Sequence, residues 1–220
     1  MLIARNNRKD ILILEENKNP KLNLKKENEL FTKVEQGKYD SIIRLWINEE
    51  CLVKGIRKHE KYGWYRADLA KKLNIPVYQR KTGGGVVYHD LGNLNWSLFI
   101  RTSLHYFESK EIFETASNII VNILNKLNLN AYFSEPNRIE IEGYKISGMA
   151  ARASNKALLI HGTLLVNTNL NRLNLLCIHP PNCPPVQNIS YWKKISIEEI
   201  VNLFLKEAKN LNIKNYFKLK

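Results

Sequence analysis

The chain has 220 residues, 44% hydrophobic and 25% charged, a balance that fits one folded catalytic domain over residues 1–220 and excludes a disordered or fibrous chain. Its formal net charge of +13 favours anionic partners, but the Lys and Arg residues are scattered rather than gathered in one block, which disfavours a nucleic-acid module. No run approaches the roughly 18 apolar residues of a membrane helix. Met1–Asp10 is too polar for a signal peptide, and the three cysteines, Cys51, Cys177 and Cys183, make no disulfide framework, so the expected setting is the cytoplasm with no membrane partner.

In chain order, Ile11–Leu14 reads as a strand. Asn19–Val34 reads as a helix opened by Asn-Pro, with Leu24, Leu30, Phe31 and Val34 along one side. Ser41–Ile47 and Cys51–Val53 read as strands, Arg66–Leu73 as a short helix and Pro76–Gln79 as a further strand. Leu94, Trp96, Leu98 and Ile100 alternate with Asn95, Ser97 and Phe99, the pattern of a half-buried strand. Ser109–Leu127 carries apolar residues at helical spacing on one face. Short strands follow at Ala131–Ser134, Arg138–Ile141, Tyr144–Ser147 and Leu158–Val166, and Gly148–Lys156 is expected as a loop. Pro180, Pro181, Pro184 and Pro185 mark an irregular connection. Ser196 and Glu199 form a capping box that opens a last helix to Leu211. The expected class is α/β (α+β), a mixed sheet flanked by helices.

Three clusters can carry chemistry. The densest runs from Arg80 to Asn93, with Gly83, Gly84 and Gly85 lying between two strands and Arg80 and His89 flanking them. It matches neither a P-loop nor a dinucleotide fingerprint, because no Gly-Lys-Ser/Thr or GxGxxG opens a helix there. Backbone without Cβ atoms lets a ligand lie against the chain and lets N–H groups face an anion. The second cluster is Gly143-Tyr144-Lys145-Ile146-Ser147-Gly148-Met149-Ala150, which sets a lysine in a strand bracketed by glycines. An inward ammonium can hold a carboxylate and then neutralise charge on an α-phosphate. The third is His161-Gly162-Thr163-Leu164-Leu165, where Gly162 permits close backbone approach. The spacing of Cys177, His179 and Cys183 matches no zinc signature.

Taken in order, RKTGGGVVYHDLGNLNWS, GYKISGMA and HGTLL resemble the lipoate-protein ligases of the biotin/lipoate ligase superfamily. The resemblance implies that superfamily's catalytic-domain fold. It also implies a two-step reaction: ATP and lipoate, or octanoate, give an acyl-adenylate, and a lysine of an acceptor domain then takes the acyl group. Lys145 would be the essential lysine, and Arg80, Gly83, Gly84, Gly85, His89, Asn137, Ser147, Gly148, Ala150, His161 and Gly162 would line the acyl and adenylate pocket. The implied cofactors are ATP and Mg2+. The implied acceptors are lipoyl domains of 2-oxoacid dehydrogenase E2 subunits or the glycine cleavage H protein. No C-terminal accessory domain follows in this reading, so either a separate small subunit, the favoured alternative, supplies one or the chain closes the site with its own loops, for example Gly148 to Lys156.

The chain departs from the family at two places. Arg138 stands after Asn137 where the family has an acidic residue associated with magnesium, so no metal ligand is assigned, and Gly55 to Glu60 follows the family's pattern only loosely. The rival within the superfamily is an acyltransferase that needs no ATP and pairs a cysteine nucleophile with the lysine; it requires Cys177 or Cys183 to reach Lys145.

Overall fold

The computed structural model describes residues 2–7, 10–56, 64–102 and 109–208. The chain opens with strands β1 (Leu2–Asn7) and β2 (Asp10–Leu14), then helix α1 (Pro20–Glu35). Asn19 caps α1 by accepting the Leu22 N–H at 3.1 Å, and Pro20 fills a first-turn position that needs no donor. Strands β3 (Ser41–Trp46) and β4 (Cys51–Lys54) follow, then helix α2 (Ala67–Lys72) and strands β5 (Val77–Gln79), β6 (Val86–His89) and β7 (Asn93–Arg101). Helix α3 (Ser109–Asn125) leads to β8 (Tyr132–Ser134), β9 (Arg138–Ile141), β10 (Tyr144–Ala153) and β11 (Ala157–Leu165). Helices α4 (Leu170–Leu176) and α5 (Ile197–Ala208) close the described chain.

An 8-stranded sheet runs β1-β2-β3-β7-β11-β10-β9-β8, and a 3-stranded sheet runs β5-β4-β6. Most pairings are antiparallel, but β2 with β3 and β4 with β5 are parallel, so both sheets are mixed. On one face of the large sheet, Leu94, Trp96, Leu98 and Ile100 pack in a common cluster with Ile120, Leu124, Ile200 and Phe204 of α3 and α5. On the other face, Phe99 and Ile42 pack against Leu30, Phe31 and Val34 of α1. The small sheet joins α1 through Leu24, Trp46, Cys51 and Val53.

Covering both faces changes the reading of β7. Every residue from Asn93 to Ile100 is buried, so the strand is not half-exposed as its alternation predicts. Of the polar members, Ser97 donates to Glu27 of α1 at 2.8 Å and Asn95 accepts from Asn93 at 3.0 Å. The segment after Lys145 also differs: Gly148 to Ala153 continues β10 and pairs with β11 from Met149↔Gly162 to Ala153↔Leu158, so it is strand and not loop. Helix α4 has no counterpart in the sequence reading, since its asparagine-rich stretch has weak helix propensity and depends on the Asn169 cap, which accepts the Arg172 N–H at 3.0 Å. The capping box at α5 is present, with Ser196 N–H donating to Glu199 at 2.7 Å and Glu199 N–H to Ser196 Oγ at 3.1 Å. The sequence reading of that helix beyond Ala208 lies outside the described residues, as do Arg57 to Glu60. Among the described residues no helix is long and apolar enough to cross a membrane.

Candidate active site

A cavity of about 450 Å³ lies between α1, the small sheet and strands β10 and β11. Ligand pockets span about 300–1,000 Å³, so this one suits a small molecule. Its lining includes apolar Leu24, Trp46, Val53 and Val87 and polar Asn137, Arg138, Lys145 and Ser147. Arg80, Gly84, Gly85, His89, Asn137, Lys145, Ser147, Gly148, Ala150, His161 and Gly162 all line it. Gly83 does not, and a Cβ there would meet nothing within 4 Å.

The three loop glycines therefore do different things. Gly84 has φ +81, the left-handed region that glycine tolerates. Gly85 is filled from outside: a Cβ would sit 2.4 Å from Trp64 Cε3, so the absent side chain accommodates an indole rather than a ligand. Gly162 is similar, because a Cβ there would lie 2.7 Å from Trp96 Cζ2.

Arg80 is buried and turned inward on its own loop. Its guanidinium donates to Thr82 Oγ1 at 2.8 Å, to the Val53 carbonyl at 2.9 Å, and to the Gly83 and Gly85 carbonyls at 2.7 and 2.9 Å. Burial lowers its pKa to about 10, still charged at neutral pH. It lines the cavity while clamping the glycine loop, and most of its donors are taken by that loop.

The clamp continues inward as a chain of hydrogen bonds. His161 Nδ1 lies 2.8 Å from Glu27 Oε1, and Nε2 lies 2.8 Å from Thr82 Oγ1. With Nδ1–H donated to the carboxylate, Nε2 accepts the Thr82 hydroxyl, whose oxygen in turn accepts Arg80 Nε–H. Glu27 also accepts Ser97 Oγ–H at 2.8 Å, and Ser97 accepts Trp46 Nε1–H at 3.0 Å. Burial pushes the Glu27 pKa up, but His161, Ser97 and Arg44 outweigh it, leaving the carboxyl below its ordinary value. His89 is pushed down to about 3 by burial and by the charge of Arg80, so its ring is neutral. Asn48 donates to His89 Nδ1 at 3.0 Å, which leaves the ring proton on Nε2.

The opposite wall is built differently. β9 and β10 pair with a register shift between Lys145 and Ser147, a bulge that re-aims the strand beside the cavity. The proline loop docks along it: Lys145 N–H donates to the Pro185 carbonyl at 2.9 Å, and Gln187 N–H to the Lys145 carbonyl at 3.1 Å. The Lys145 side chain is half-buried and its amine has no hydrogen-bond or ion-pair partner among the described residues. Burial is the main cause that lowers its pKa, with Cys183 opposing and Arg138 adding to it. Ser147 Oγ, 1% exposed, also lacks a partner, whereas Asn137 is tied to β10 by donating to the Met149 carbonyl at 2.5 Å.

Cys177 and Cys183 line the same cavity as Lys145. Cys177 is buried, bridges to Tyr65 and has its thiol pushed up to about 12 by burial, so it is inert at neutral pH. Cys183 is half-buried. A protein-held Mg2+ fits this cavity poorly: the ion takes oxygen ligands through one or two carboxylates, and no Asp or Glu is among the described lining residues. Among the described residues no group of three His, Cys, Asp or Glu could hold a metal.

Glu27, Thr82, Asn48 and Trp64 escaped the sequence reading. Glu27 left a signal: it falls three residues after Leu24 and four before Phe31, inside the apolar stripe of α1, where a carboxylate needs a partner.

The lipoyl protein ligase A/B catalytic domain profile matches residues 19–209, which include every wall of this cavity. The chain belongs to that family. A lipoate-protein ligase A of Psychrobacter cryohalolentis is 33% identical over 165 residues, covering 74% of this chain and 45% of that protein. The chain spans about half the length of the curated relatives it matches. Its fold is that of the solved family members. The bi-partite lipoate protein ligase of Thermoplasma acidophilum, studied with its E2 lipoyl domain, superposes with a TM-score of 0.78 at 26% identity, over 96% of this chain and 84% of that one. A lipoate-protein ligase A bound with ATP superposes at 0.79 with 25% identity, over 96% and 86%.

Proposed function

We propose that this chain activates lipoate, or octanoate, with ATP and passes the acyl group to a lysine of a lipoyl domain. The observation that carries the reading is Lys145: a half-buried amine with no partner among the described residues, lining a cavity that also has apolar walls. A partly desolvated ammonium is stabilised by an incoming carboxylate, and the acyl tail then lies toward Leu24, Trp46 and Val87. In the first step a carboxylate oxygen attacks the α-phosphorus and pyrophosphate leaves. In the second, the acceptor amine attacks the acyl carbonyl and AMP leaves. Lys145 neutralises charge at the reacting oxygens in both. Neutral His89 and the Glu27–His161 pair shape the wall and move no proton.

Support comes from the family match, from the ATP-bound ligase with the same fold, and from the Thermoplasma ligase whose partner is an E2 lipoyl domain. That ligase is bipartite, which favours a second polypeptide assisting transfer here as well. Cys51, Cys177 and Cys183 are free thiols, which suits a reducing, cytoplasmic setting.

A second reading has one observation in its favour. Cys183 shares the cavity with Lys145, as a cysteine-dependent acyltransferase requires. Incubation with lipoate, ATP and Mg2+, followed by mass spectrometry, separates the two. Lipoyl-AMP, and a lipoyl mass shift on an added apo lipoyl domain, are the expected products. A thioester on Cys183 formed from an acyl thioester without ATP would replace the ligase reading.

A further inference from the structure

Two cationic side chains share one wall of the cavity. In the β9–β10 ladder Arg138 stands opposite Gly148. The space left by the Gly148 side chain is occupied by the tip of Lys145, since a Cβ there would lie 3.0 Å from its Cε and 3.1 Å from its Nζ. Arg138 therefore flanks the end of the Lys145 side chain. It is anchored from behind, with Nε donating to Glu140 Oε1 at 2.8 Å and Nη2 to Ser134 Oγ at 3.3 Å. Its remaining N–H groups make no hydrogen bond among the described residues, and it lines the cavity whereas Glu140 does not.

Like charges held together on a partly desolvated wall repel. The proximity helps to lower the Lys145 pKa. An anion with several charged oxygens, lying across both groups, relieves the repulsion. No carboxylate among the described lining residues would repel such an anion or hold a metal for it.

We infer that Arg138 binds the phosphates of the nucleotide directly, beside Lys145, so that the chain captures ATP with its own cations where a protein-held metal would otherwise stand. The inference rests on the adenylating reading above. A planar guanidinium fork matches phosphate oxygens in pairs, while the compact amine suits the single reacting oxygen.

The test is calorimetric titration of the purified chain with ATP, in EDTA and again in Mg2+, for the wild type, Arg138→Gln and Arg138→Lys. The wild type is expected to bind ATP in EDTA. Arg138→Gln should weaken that binding about 10- to 100-fold, the loss of one or two charge-assisted hydrogen bonds. Arg138→Lys should recover part of it, and the far-UV circular dichroism spectrum and thermal midpoint of both variants should stay near the wild-type values, which establishes that they are folded. Wild-type binding that requires Mg2+, or an Arg138→Gln variant that binds ATP in EDTA as the wild type does, would overturn the inference and leave the ligase reading standing. Failure to bind ATP in either buffer would overturn both.

Discussion

The two walls of the cavity differ in how fully their polar groups are paired. On the glycine-loop side, Arg80, Thr82, His161, Glu27, Ser97 and Trp46 form one chain in which each hydrogen-bonding group meets a partner. On the β9–β10 side, Lys145 and Ser147 Oγ meet none among the described residues. Buried polar groups are ordinarily paired, so the satisfied wall reads as scaffold and the unsatisfied one as the place where a ligand completes the structure. Substitutions on the two sides should therefore separate stability from activity.

The largest expected effect is on the unsatisfied wall. Lys145→Ala should lower pyrophosphate release by about 10³-fold, the loss of one group that stabilises the transition state, with an unchanged circular dichroism spectrum. Lys145→Met should also stabilise the ligand-free protein. A lysine whose folded pKa lies below the ordinary 10.5 binds its proton more tightly when unfolded, so its charge destabilises the fold at pH values below the folded pKa. That penalty disappears as pH rises to 10.5, and the thermal midpoints of the two proteins should converge there. A constant difference across pH would argue against a desolvated amine.

On the satisfied wall the effect should fall on the fold. Glu27→Gln should reduce unfolding free energy by about 3 kcal/mol, because it leaves a buried network broken. The Glu27 pKa is below its ordinary 4.5, so its contribution is present above that pH and is lost as pH falls through the folded value. Urea midpoints of wild type and variant should accordingly differ at neutral pH and approach each other in acid. An equal gap at both would mean that the carboxylate charge is not what the network uses.

Gly148→Ala lies between these cases. Its Cβ would press on the Lys145 tip and shift the amine by tenths of an ångström, so kcat should fall about 10-fold, more than lipoate affinity does. The smallest effect is expected at the thiols. Cys183→Ser combined with Cys177→Ala should keep ATP-dependent transfer within about two-fold, the scale of substitutions away from working groups. Loss of all transfer would move the chemistry to Cys183.

Much of the fold was legible because its signals are local. The Asn19 cap and the apolar stripe set α1, the Ser196–Glu199 box set α5, and period-two runs set most strands, since caps and periodicity act over a few residues. Lys145 was legible for the same reason, as a lysine between glycines in a short strand. The class of the fold followed from the mixture of those elements.

Tertiary structure alone decided what each residue faces. Glu27 and His161 are 134 residues apart, and only the packing of α1 on β11 makes them a pair. Arg80 carries the sequence marks of a ligand contact, yet the loop's own carbonyls take its donors because the chain folds back over it. Gly85 makes room for Trp64, Gly162 for Trp96 and Gly148 for Lys145, three uses of an absent side chain that a local sequence cannot tell apart. Arg138 comes beside the Lys145 tip through strand register and a bulge. Register is set by which faces are buried across the whole sheet, a long-range condition that no window of sequence contains.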